Sequence, residues 1–188
     1  MAILDMRVEI KEATRYLKDY ERKVITRATN RAINTTARNV HTEIKRYISK
    51  VTGLKVGFVG KCISVHKSSF GTLRAEIVGR GRAVNLIRFV SAGKRAVGAF
   101  SKQLGVKANA WRTPRTYHGA FIVRGRGHGR LIVVARTGKT RYPLKGIQGP
   151  SIRVEMHRPA ATRLMSTTAI KRFHINFDRD LRYYTSRL

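Results

Sequence analysis

The residues best equipped for chemistry lie between Tyr117 and Ser151, in YHGAFIVRGRGHGRLIVVARTGKTRYPLKGIQGPS. Two glycine patterns in this stretch suggest phosphate binding, and both fail on spacing. GKT at Gly138 to Thr140 lacks the glycine that a phosphate loop needs five residues earlier; position 133 is Val, inside an apolar run. Gly125, Gly127 and Gly129 are followed by Arg130 where the dinucleotide fingerprint needs another glycine, and by a strand pattern where it needs a helix. What remains is a hairpin connection, in which glycine supplies positive φ. That connection gathers Arg124, Arg126, Arg130 and His128 at one tip. Arginine forks pair well with phosphate, and absent side chains let a backbone approach closely.

Catalytic constellations are missing. The six histidines show no metal-ligand spacing, and the single Cys62 cannot build a zinc cluster or an internal disulfide. Asp19/Glu21 and Asp178/Asp180 are two residues apart on helical patterns, so each pair points to different faces. A nuclease needs carboxylates to hold a divalent metal, yet residues 77 to 154 contain none. The expectation is a protein with no enzymatic activity, no metal and no cofactor. Tyr117, Phe121 and Tyr142 offer rings for base stacking, but no RNA-recognition run accompanies them.

Charge points to the partner. Lys and Arg number 40 against 10 Asp and Glu, a formal net charge of +30. The acid-free span alone holds 17 of those cations. An excess of this size strains a compact monomer by self-repulsion and calls for a polyanion. Because the cations alternate with apolar residues, they decorate folded elements rather than a disordered tail. The opening MAILDMRVEIKE lacks the apolar run of a signal peptide. No stretch approaches the ~18 apolar residues of a membrane span, so a soluble, membrane-free protein is expected, assembled in a cytoplasm.

The elements that position these residues follow from periodicity. Leu17, Val24, Ala28, Ala32, Ile33, Ala37, Val40, Ile44, Tyr47, Ile48 and Val51 form one apolar stripe on a 3.6-residue period. No Pro or Gly interrupts residues 7 to 52 before Gly53 stops the pattern. A helix this long either breaks near Asn30 or Asn34 or extends beyond one core to meet neighbours. The period then shifts towards two. Strands are expected at Ile63–Lys67, Thr72–Val78, Ala83–Val90, Gly119–Arg124 and Arg130–Arg136, with Gly105–Trp111 alternating weakly. Residues 91 to 104 read as an exposed basic loop. A second helix starts near residue 158, Pro159 fitting its first turn, with Leu164, Ile170, Phe173, Phe177, Leu181, Tyr184 and Leu188 on one face. The fold class expected is α+β: helix 1–52, a central, mostly antiparallel sheet of about five strands over 62–136, and helix 158–188, in a single domain.

Order and wording of the segments add a resemblance. ITRATNRAINTTARNVHTEI (Ile25 to Ile44), the TGLKV segment and NLIRF (Asn85 to Phe89) are similar to the corresponding parts of the phage minor tail protein Z family. The strongest similarity is GAFI (Gly119, Ala120, Phe121, Ile122) followed by GKTRYP, with Gly138, Lys139, Arg141, Tyr142 and Pro143. The resemblance implies a structural virion protein that completes the phage tail at its head-proximal end. It implies a ring, six copies being expected, at the head-tail junction, beside tail-terminator, tail-tube or head-connector proteins. Arg124, Arg126, Arg130, Arg136, Lys139 and Arg141 are then the candidate residues of a basic face that contacts viral DNA without reading sequence. The alternative is a ribosomal or other basic RNA-binding protein.

Overall fold

A computed structural model describes residues 2–98, 104–125 and 129–186; in the first helix its side chains are described from Lys18 on, Asp19 excepted. The fold class is α+β, with a long helix towards each end of the chain and small sheets between them. Helix α1 spans Ala2–Thr52 without a break. Uninterrupted by Gly or Pro from residue 7, it loses no backbone donor along its length. Of the two alternatives, the unbroken helix is the one that forms, and Asn30 and Asn34 are engaged side by side within it. Asn34 Nδ2 donates to Asn30 Oδ1 at 3.3 Å and to Ser68 O at 3.1 Å, and Asn34 Oδ1 accepts from Ser68 N at 2.8 Å. Side-chain amides that compete with helical backbone are here committed to another segment. Gly53, at φ +78°, ends α1 in the left-handed conformation usual after a helix, its N–H donating to Ser49 O at 3.0 Å.

The chain divides into two compact units. The first comprises Met1–Thr42, Val65–Ile77 and Met165–Leu188; the second comprises Glu43–Ser64 and Val78–Leu164. In the first, Val24, Ala28, Ala32, Ala37 and Val40 of α1 are buried, as the apolar stripe requires. Helix α4, Pro159–Thr185, faces them with Phe173 and Phe177 stacked at a centroid distance of 5.7 Å. Its most buried positions in this unit are polar. Asn176 donates to Thr36 Oγ1 at 3.0 Å. Asp180, 1% exposed, pairs with Arg31 at 3.6 Å and with Arg179 at 3.0 Å. Ile170, assigned to the inward face by its period, is 62% exposed, and Leu188 lies outside the described residues.

Strands fall into three small sheets rather than one. β1 (Ile63–His66) pairs with β2 (Glu76–Gly79). In the second unit, β3 (Val106–Ala110) pairs antiparallel with β4 (Thr113–Tyr117), and β5 (Ala120–Arg124), β6 (Leu131–Arg136) and β7 (Leu144–Gly146) form an antiparallel sheet in that order. β3 shows the strict alternation of a one-sided strand: Val106, Ala108 and Ala110 are buried, Lys107 and Asn109 exposed. Two short helices complete the unit, α2 (Val56–Lys61) and α3 (Ile152–Met156).

The strand expected at Ala83–Val90 does not form. Residues Leu86–Phe89 make a 3-10 turn, and only Asn85 enters a bridge, antiparallel to Gln148. Asn85 explains the difference. Its Oδ1 accepts from Ile87 N at 3.1 Å and from Val133 N at 2.9 Å, while Nδ2 donates to Val133 O at 3.0 Å. One side chain thus caps the turn and satisfies β6 in place of a strand backbone.

Candidate nucleic-acid interface

The five described candidate cations lie about the two ends of β6 and not on one surface. Arg124 ends β5 opposite Leu131, and Arg130 precedes β6; both are exposed. Gly125 N donates to Arg130 O at 2.8 Å and closes this hairpin end. Gly129, at φ +59°, takes the left-handed conformation that the connection requires. Arg126, with Gly127 and His128, lies outside the described residues. Arg136, Lys139 and Arg141 belong to the other end of β6. At about 3.4 Å per residue, the six residues of β6 separate the two groups by roughly 17 Å.

Register also puts Arg124 and Arg136 on opposite faces. Arg124 shares its side of the sheet with Leu131, Ile122 and Val133, whereas Arg136 falls on the side of Phe121 and Val134. There the Arg136 guanidinium lies 5.7 Å from the Phe121 ring centroid, and its Nε is buried without a hydrogen-bond acceptor. The ring face takes the place of the missing acceptor in part. Arg136 is therefore half inside the fold, and of the candidates at this end Lys139 and Arg141 are the exposed ones.

The link that holds Lys139 and Arg141 folds back on itself. Thr137 Oγ1 donates to Pro143 O at 3.0 Å, Thr140 Oγ1 donates to Tyr142 O, and the Tyr142–Pro143 peptide is cis. Arg141 lies 5.8 Å from the ring centroid of Tyr142, which is 57% exposed. In the GAFI segment, Gly119 takes φ +70° in the turn before β5, and Ala120 and Ile122 are buried. That half of the motif builds core; the GKTRYP half offers exposed cations and a ring.

The carboxylates closest to this region in sequence are used internally. Glu155, 3% exposed, accepts from Trp111 Nε1 at 3.0 Å and pairs with Arg158 at 3.0 Å. Trp111 and Arg112 form the two-residue turn between β3 and β4 at φ +52° and +55°, a conformation costly for side chains of their size. Trp111 N donates to Thr52 O at 3.2 Å and Arg112 Nε to Lys50 O at 2.7 Å, which with Glu155 fixes the turn. Counted by sequence, the second unit holds 24 of the 40 Lys and Arg but only two of the ten carboxylates, Glu43 and Glu155.

Periodicity missed a third group of cations. Arg88 precedes the residues taken for an exposed loop and Arg95 lies within them, and the fold fixes both. Arg88 lies 4.4 Å from the Phe58 ring centroid; Arg95 donates from Nε to Val90 O at 2.7 Å and from an η nitrogen to Arg88 O at 3.0 Å. Alternation of charge with FV in RFVSAGKR is the only signal of it. Cys62 is half-buried nearby: burial pushes its thiol pKa up, against the Arg88 charge, which draws it down. Among the described residues no three His, Cys, Asp or Glu side chains assemble to hold a metal ion, and no helix is long and apolar enough to cross a membrane.

Neither the curated proteins nor the solved structures contain a match to the chain. The model of one family, prophage minor tail protein Z (GPZ), matches residues 9–187, nearly the whole length. That span includes most of α1, all of α4, all three sheets and the GAFI and GKTRYP segments in order. The chain belongs to the prophage minor tail protein Z family, a structural component of the phage tail.

Proposed function

We propose that this tail protein acts at the head-proximal end of the tail, as a completion or neck protein, and that copies of it form a ring through which the genome end passes. Its role is structural, without enzymatic activity. The observation that carries this reading is the second unit's 24 Lys and Arg against two carboxylates, one of them buried and paired. Such a unit repels its own copies unless a polyanion lies among them. Packaged DNA supplies that polyanion, and Lys139 and Arg141 with Arg124 and Arg130 supply phosphate contacts without base recognition. Arg136 serves chiefly to fasten the link at Phe121.

The test is imaging of virions and tails. Particles with the protein tagged are expected to carry the label at the head-tail junction in rotational symmetry, six copies per ring. Particles made without it are expected to have tails that join heads poorly. Label distributed along the tube or at the distal tip would overturn the placement. Strand breakage by the purified chain, dependent on a divalent metal, would overturn the non-enzymatic role.

A further inference from the structure

We propose that Lys55, Arg88 and Arg95 form a phosphate seat in the second unit, which takes a phosphodiester of the DNA backbone; this rests on the DNA contact proposed above. The three side chains line one concave space of about 430 Å³, together with Phe58, Ser91 and Asn109. No carboxylate lines it, and none of the described ion pairs involves these three cations. A recess walled by charge of one sign focuses its field and raises the local concentration of a counter-ion.

What distinguishes the two arginines from the many other cations is that the fold holds them before any ligand arrives. Two carbonyls fix the Arg95 guanidinium, at 2.7 and 3.0 Å, and engage two of its five N–H donors. The Phe58 ring supports Arg88 at 4.4 Å. An exposed arginine loses side-chain entropy when it grips a phosphate; here much of that loss has been met in folding. Carbonyl acceptors and a ring face position a guanidinium but leave its positive charge unneutralised. That combination suits an anion supplied from outside the chain.

The anion's class follows from the donors. A phosphodiester presents oxygens that accept from several cations together, and its polymer brings further charges to Lys139 and Arg141 on the same unit. A single side-chain carboxylate would occupy one arginine fork and leave the rest of the recess charged.

The experiment uses the full chain. A labelled duplex is titrated at several salt concentrations, with wild type, Arg88→Gln, Lys55→Gln and, for comparison, Lys139→Gln. Arg–Nε resonances are followed as inorganic phosphate is added. The seat predicts that phosphate shifts the Arg88 and Arg95 signals. It also predicts that Arg88→Gln lowers the slope of log affinity against log salt by about 0.9, roughly eightfold in affinity at 0.1 M salt. Lys55 is exposed, so Lys55→Gln keeps the test decisive if Arg88→Gln disturbs folding. Wild-type binding with unchanged slopes in both variants would overturn the seat and leave the DNA contact standing. Failure of the wild type to bind duplex would overturn the DNA contact and the seat with it. Binding of a glutamate-rich peptide that both variants lose, with DNA binding intact, would reassign the recess to an acidic protein partner.

Discussion

Asn85 concentrates more of the fold in one side chain than any cation does. Its amide completes the backbone pairing of Val133 on both sides and caps the 3-10 turn at Ile87. Asn85→Ala removes the acceptor of Val133 N–H in β6 and the cap on Ile87 N, while Val133 O keeps the bond from Ile147 N, and it is expected to cost about 2 kcal/mol in denaturant unfolding. Asn85→Asp, nearly isosteric, is expected to be destabilising too, because an oxygen then faces Val133 O where Nδ2 donated. If the aspartate variant matches wild type, the amide is not acting as described. Cys62 gives a residue-scale prediction of opposite kind, about pH. Burial raises the thiol's folded pKa, so the neutral thiol's contribution to stability is complete below the unfolded value and is lost as pH rises through the folded one. Thiol-reagent kinetics between about pH 7 and 10 should show Cys62 reaching half-maximal rate at higher pH than free cysteine. Arg88→Gln should move that midpoint higher still, since the Arg88 charge opposes the burial effect.

At the scale of elements, what periodicity reveals is backbone regularity, and what it hides is side-chain substitution for backbone. Helices α1 and α4 were legible within a few residues, because an uninterrupted 3.6-residue stripe and a proline at a first turn have one reading each. β5 and β6 were legible for their run of β-branched residues. The segment Ala83–Val90 was not: its composition is that of a strand, and only the partner of the Asn85 amide makes it a turn. For the same reason the inward face of α4 was misread at Asn176 and Asp180, whose burial depends on Thr36 and Arg31, residues 140 and 149 positions away. The candidate cations were legible as residues, but their division between the two ends of β6 depends on strand register, which no local signal encodes. Asn34 tests this view of side-chain commitment. Asn34→Leu is expected to leave helical ellipticity unchanged while costing about 2 kcal/mol, through two lost bonds to Ser68. Asn30→Leu, which loses only the weaker bond to Asn34, is expected to cost a few tenths of that. A gain in helicity from either change would mean that the asparagines were straining α1 after all.

For the whole molecule the governing quantity is a net charge of +30 unevenly distributed, with most of the excess in the second unit. Ordinary salt acts on such a chain in two opposed ways. It screens self-repulsion, which stabilises, and it screens ion pairs, which destabilises. The described exposed pairs, Arg46–Glu43 and Arg74–Glu76, are few and of the kind worth little. Screening of repulsion therefore wins, and the melting temperature is expected to rise as sodium chloride is added. A polyanion should do more than screen. Present at about 100 times its dissociation constant, it stabilises the folded chain by ~2.7 kcal/mol through mass action alone. For a chain of this length that corresponds to an increase in melting temperature of roughly 5–10 °C. Duplex DNA compared with sodium chloride at matched ionic strength separates the two effects in a thermal scan. A neutral polymer at equal mass serves as the crowding control. If DNA adds nothing beyond the salt, the folded surface has no arrangement that favours phosphates over free ions. The cations would then be spaced for partner proteins in the tail, and the DNA-lined ring would give way to a purely protein-lined one. An additional rise that Arg88→Gln reduces and Lys139→Gln reduces independently would instead tie the charge of the second unit to a polymer lying across both places.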